Sequence, residues 1–134
     1  MDYVKLFQNI KTRTGMYLEE ESYYEAAAFL YGCDAGNECG LLQGFREWLI
    51  VRLDGPNNLA WSGLVLHSAF PDERDRAALP GSREHNQKAI HTLFDLAIEF
   101  LGERNKPDGL RLIFERYSDW LRRQPWFQED TSSA

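Results

Sequence analysis

The chain is short of positive charge, short of cysteine and without any long apolar run. It holds 15 Lys and Arg against 21 Asp and Glu, a net charge of −6. That balance argues against nucleic-acid binding, which needs a basic face to neutralise phosphates. It permits a basic partner, because opposite fields speed and orient encounter. It also serves plain solubility. The two cysteines, Cys33 and Cys39, stand in a C-x5-C spacing. This fits neither C-x-x-C redox chemistry nor a zinc knuckle, and free thiols are expected. No stretch approaches the ~20 apolar residues that span a bilayer. The first residues, MDYVKLFQNIKTR, lack an apolar signal core, so the expectation is a cytoplasmic protein with no membrane role.

Catalytic patterns are missing too. His67, His85 and His91 form no H-x3-H or H-E-x-x-H arrangement, and Ser62 sits in W-S-G rather than G-x-S-x-G. The glycines make no phosphate-binding loop. No catalytic residue, metal ligand or cofactor is assigned, and binding rather than catalysis is expected.

What the chain does have is length for one domain and apolar mass to fill it. Its 134 residues include eight Phe, six Tyr and four Trp, enough for a core without staples. Residues 1–127 are expected to form a single domain, and 128–134 a mobile polar tail.

Helical periodicity dominates. Tyr3, Val4, Phe7 and Ile10 share a face, with Asp2 as cap. Ser22 and Glu25 match a capping box before an alanine-rich helix that Gly32 is expected to stop, with a loop from Gly32 to Gly40. Leu41, Leu42, Phe45, Trp48, Leu49 and Leu53 form the next stripe, and Gly55-Pro56 ends it. Trp61–Phe70 reads as helix, capped by Asn58, although so short an apolar run also fits a buried strand. Asp72–Ser82 reads as a long polar loop. Ala89, Ile90, Leu93, Phe94, Ala97, Ile98 and Leu101 make the longest stripe. Leu110, Ile113, Tyr117, Trp120 and Leu121 make the last, with Asp108 as cap. The expectation is an all-α fold, a compact bundle of about six short helices.

Acidic residues gather in three places: Glu19, Glu20 and Glu21 with Glu25; Asp34 with Glu38; and Asp72, Glu73 and Asp75. One reading is helix-cap and loop chemistry. The other is a face for a basic protein surface, with Tyr23 and Tyr24 as anchors. The turn Arg13, Gly15, Met16 and Tyr17 is expected to be structural. Gly15 would take positive φ, Met16 and Tyr17 would fill space between the first two helices, and Arg13 would find a carboxylate or carbonyls. Trp48 and Trp61 are core positions.

The string Arg13-Thr14-Gly15-Met16-Tyr17-Leu18 resembles the R-P-G-M-Y-L/I-G opening of small bacterial proteins found beside toxins. These are immunity proteins of polymorphic-toxin, contact-dependent and type VI secretion systems. The likeness continues in F-x-x-W at Phe45–Trp48, N-L-A-W-x-x-L-V at Asn58–Val65, A-F-P at Ala69–Pro71 and L-F-x-L at Leu93–Leu96. Thr14 and Glu19 depart from it, standing where the pattern has proline and glycine. The resemblance implies a protein that binds and neutralises one cognate toxin, here with a basic cleft facing the acidic surface. The rival readings are an enzyme-like factor that reverses a toxin's covalent mark, and a small-ligand module. A G-M-Y-I-G string also occurs in ATP-binding domains of type II topoisomerases, whose strands and glycine motifs this chain lacks.

Overall fold

Each apolar stripe becomes a helix in the computed structural model, which describes residues 1–128. Seven α-helices lie among the described residues, with no strand: α1 Tyr3–Thr12, α2 Tyr23–Gly36, α3 Phe45–Leu53, α4 Trp61–Ala69, α5 Glu73–Ala78, α6 Arg83–Arg104 and α7 Gly109–Arg122. The expected tail lies, from residue 129 on, outside the described residues. No helix among those described is long and apolar enough to cross a membrane.

α6 is the axis. Its 22 residues span roughly 33 Å at ~1.5 Å per residue. It packs against α1, α2, α3, α4 and α7. Of its stripe, Ala89, Ile90, Leu93, Phe94, Ala97 and Leu101 are buried, while Ile98 is only half-buried. Phe94 meets Phe7 of α1 at 5.6 Å between ring centroids. Phe100 meets Phe45 of α3 at 5.1 Å, and Phe45 also touches Trp48 and Trp61. Burying each such side chain is worth about 1.5–3 kcal/mol, so this aromatic knot is the main reason α3, α4 and α6 stay together.

Several boundaries differ from the expectation. α2 does not stop at Gly32 but runs to Gly36. A glycine inside a helix costs only about 1 kcal/mol, and the turns on either side supply their bonds. α3 begins at Phe45 rather than Leu41; Leu41 and Leu42 are buried from a turn instead. Ala60, not Asn58, precedes α4. The stretch read as a polar loop contains α5 and a 3-10 turn, Leu79–Gly81. Asp72 caps α5 by accepting from the Arg74 amide at 2.8 Å, and Leu79 is fully buried. With one large apolar residue in eleven, this anchor gave a periodicity reading nothing to repeat. Asp108 precedes α7 but makes no side-chain cap; its carboxylate faces Arg111 at 3.5 Å.

Polar side chains hold the remaining connections. Arg46 donates to Leu59 O and Asn57 O, each at 2.8 Å. Tyr117 donates to Asn57 Oδ1 at 2.9 Å and Trp120 to Asp54 Oδ1 at 2.7 Å. The connection between α3 and α4 is thereby fixed to α7.

Candidate functional site

The turn that carries the family-like string is a 3-10 element, Thr14–Met16. The Thr14 hydroxyl donates to Ile10 O at 2.9 Å, and the Leu18 amide returns to Thr14 O at 2.9 Å. Three expectations for this turn are corrected. Gly15 does not use positive φ; Glu21 does, at 49°. A methyl there would lie 3.1 Å from Glu21 Oε1, a close approach that a small shift of the Glu21 carboxylate relieves. Met16 and Tyr17 do not fill the gap between α1 and α2: Met16 is 74% exposed and Tyr17 39%. Leu18, the next residue, is the one that enters the core, at 2% exposure. The Arg13 side chain makes no hydrogen bond or ion pair among the described residues. It lines an open groove of about 640 Å³ with Gly15, Met16, Glu21 and His91.

The next residues are ordered by capping. Ser22 Oγ accepts from the Glu25 amide at 3.1 Å. Glu25 does not return the bond to Ser22, as a reciprocal box would. Its carboxylate accepts from the Glu20 amide instead, at 3.3 and 3.4 Å. The loop is drawn back over the helix start, leaving the Glu19 and Glu20 side chains in water.

The two tyrosines divide. Tyr23 is fully buried and donates to Ser62 O at 2.6 Å. Burial pushes its phenol far above the ordinary value, reinforced by Tyr31 and Tyr24. Its assignment as a partner anchor is therefore corrected: it is a core residue whose hydroxyl needed an acceptor. Tyr24 is 58% exposed and edge-on to Tyr23 at 5.9 Å. The 3.6-residue period turns adjacent side chains about 100° apart, which separates them.

The second and third acidic groups are largely engaged internally. Asp34 Oδ1 accepts from the Leu42 amide at 2.8 Å, closing the turn after α2. Arg104 donates to Gly40 O at 3.0 Å and to Leu41 O. Burial lowers the Arg104 guanidinium's pKa, and the charge of Asp34 partly offsets this. Only Glu38 of that group stands free in water. In the third group Asp72 is a cap, Asp75 faces His85 Nε2 at 3.5 Å, and Arg74 and Arg76 interleave. Glu73 alone is exposed without a partner among the described residues.

His85 brings together a constellation that motif reading missed. Its Nδ1 lies 2.7 Å from Ser82 Oγ while its Nε2 faces Asp75. Serine, histidine and aspartate here share no motif, because Asp75 comes from α5 and Ser82 opens α6. Ser82 Oγ also accepts from the His85 amide at 3.2 Å as the cap of α6. The ring of His85 packs on Phe70 at 5.1 Å. The trio fastens α5 to α6. No group of three metal-ligating side chains occurs among the described residues. Cys33 and Cys39 are free thiols, as expected.

Charge is distributed unevenly along the chain. From Thr14 to Phe45 there are six carboxylates, Glu19, Glu20, Glu21, Glu25, Asp34 and Glu38, and no Lys, Arg or His. The fifteen carboxylates elsewhere equal the fifteen Lys and Arg, so this segment accounts for the entire net charge of −6. The chain matches no protein-family model, no curated protein and no solved structure.

Proposed function

We propose that the protein is a cytoplasmic binding module that recognises a basic protein surface and blocks it, as an immunity protein blocks its cognate toxin. The observation that carries this reading is the coincidence of Met16, Tyr17 and Tyr24, exposed within nine residues of chain, with Glu19 and Glu20 between them. Methionine and tyrosine are over-represented in interface centres, and a charged rim sets orientation and association rate. The segment's uncompensated charge supports a basic partner over an acidic one. An inhibitor of this kind needs a complementary surface and no catalytic groups.

Co-purification with the product of the adjacent gene, followed by rescue of its toxicity, tests the reading. The expected result is a stable complex that E19K/E20K and Y24A each weaken. A neighbour that neither binds nor is neutralised overturns the immunity role. Binding that is indifferent to both variants overturns the surface.

A further inference from the structure

The face formed by α3 and α7 has the opposite character. Two depressions there, of about 180 and 460 Å³, share Val51 and Arg116 and so form one continuous groove. Val51, Ile113 and the edge of Trp48 supply an apolar floor, and Arg52, Arg116 and Arg123 stand along it. The carboxylates nearby are already engaged. Glu103 accepts from Trp48 Nε1, Glu99 pairs with Arg52 at 2.5 Å, and Asp119 pairs with Arg122 at 3.3 Å. Arg116 and Arg123 are exposed and have no carboxylate partner among the described residues.

We propose that this groove docks an extended acidic peptide segment of a partner protein, with one apolar side chain seated over Val51 and Ile113. Arg116 lies on α7 and Arg123 is the residue that caps its end, seven residues on, or roughly 10 Å at ~1.5 Å per residue. An extended chain advances ~3.3 Å per residue and sends alternate side chains to one face. Two carboxylates four residues apart, roughly 13 Å, therefore share a face with the side chain midway between them and come within reach of both long guanidinium side chains. Each guanidinium presents a planar fork that suits a carboxylate. Nucleic acid is disfavoured as the occupant by the net charge of −6 and by Asp119 within the groove. The proposal is independent of the partner taken by the Met16–Tyr24 surface.

The probe is a fluorescein-labelled peptide G-S-E-S-L-S-E-S-G, followed by anisotropy and by the indole resonance of Trp48. Saturable binding, a shifted Trp48 resonance and a loss of affinity of about tenfold or more in R116E/R123E are expected, because these charges face the ligand. The same peptide with lysine for glutamate should not bind. The neutral pair R116A/R123A replaces the reversal if circular dichroism shows that R116E/R123E is unfolded. The proposal is overturned by unchanged affinity in a folded variant, or by no saturation at about 1 mM peptide, the weak end of specific recognition. Tighter binding of a short mixed-sequence single-stranded DNA also overturns it. So does self-association that disappears in the variant, which would make a second copy the occupant.

Discussion

The backbone amide of Tyr23 donates to Asn86 Oδ1 at 2.8 Å across 63 residues of sequence. The same side chain donates through Nδ2 to Leu79 O at 2.6 Å and Ser82 O at 2.9 Å. One amide thus joins the start of α2, the turn after α5 and the start of α6. Arg104 plays the matching part at the other end of α6, holding the turn that follows α2. The two helices are therefore pinned at both ends and run in the same direction.

Asn86→Ala should cost about 2–3 kcal/mol, because three backbone groups lose a partly buried partner at once. Asn86→Asp should cost nearly as much, since it keeps the acceptor but loses both donor bonds. Chemical denaturation of the two variants checks this. A cost below about 0.5 kcal/mol, the level of ordinary surface substitutions, would show that water replaces the amide.

Two glycines should respond oppositely to alanine. Gly109 is buried where α7 leaves α6, and a methyl there would overlap the carbonyl oxygens of Glu103 and Arg104. Gly109→Ala should destabilise by about 3 kcal/mol, as overpacking against backbone does. Gly32 lies inside α2, exposed, with open space where a methyl would stand. Gly32→Ala should stabilise by about 0.5–1 kcal/mol. Thermal melts of the pair decide it, and a destabilised Gly32→Ala would mean that α2 is strained there.

Tyr23 and Tyr24 should separate stability from binding. Tyr23→Ala removes a fully buried ring and its bond to Ser62 O, and should cost about 3–5 kcal/mol. Tyr24→Ala should leave the melting curve nearly unchanged while weakening the partner complex. Glu20→Lys should likewise spare the fold, whereas Asp34→Lys should lose stability with the bond to the Leu42 amide. Calorimetry of the four variants, with and without partner, is the measurement. Loss of stability in Tyr24→Ala would place that ring in the core.

The cysteines should differ in reactivity. Burial raises the thiol of half-buried Cys33 above its ordinary value, so less of the nucleophilic thiolate is present at neutral pH. Cys39 is exposed on the turn after α2. Iodoacetamide should modify Cys39 first, with Cys33 following only as pH rises or the domain opens. Peptide mapping after partial alkylation shows the order, and faster labelling of Cys33 would contradict its burial.

How far the residues alone led can be seen element by element. The stripes of α1, α6 and α7 were legible because a 3.6-residue period of large apolar groups admits one buried face. Trp61–Ala69 was legible as helix for its length and neighbours, although periodicity alone left a strand open. α5 was not legible, because its only deep anchor, Leu79, follows it. Among the candidate site residues, Glu19, Glu20 and Tyr24 stand in water as a binding reading requires, while Tyr23 does not. The groove along α7 was invisible, since its arginines look scattered in sequence and align only when α3 supplies Val51 and Trp48 beside them.

Composition and periodicity by themselves determined the all-helical class, the aromatic core and the acidic balance, since each depends on residue type and local spacing. Only the tertiary structure decided which polar groups remain free. Asp34, Asp72 and Asp75 are as acidic in sequence as Glu19 and Glu20. Their carboxylates are taken up by the Leu42 amide, the Arg74 amide and His85, and the packing of α2, α5 and α6 settles where two of those three partners come to lie. Exposure is likewise a property of what packs above a side chain. Leu18 lies under its neighbours while Met16, two residues earlier and as apolar, faces water.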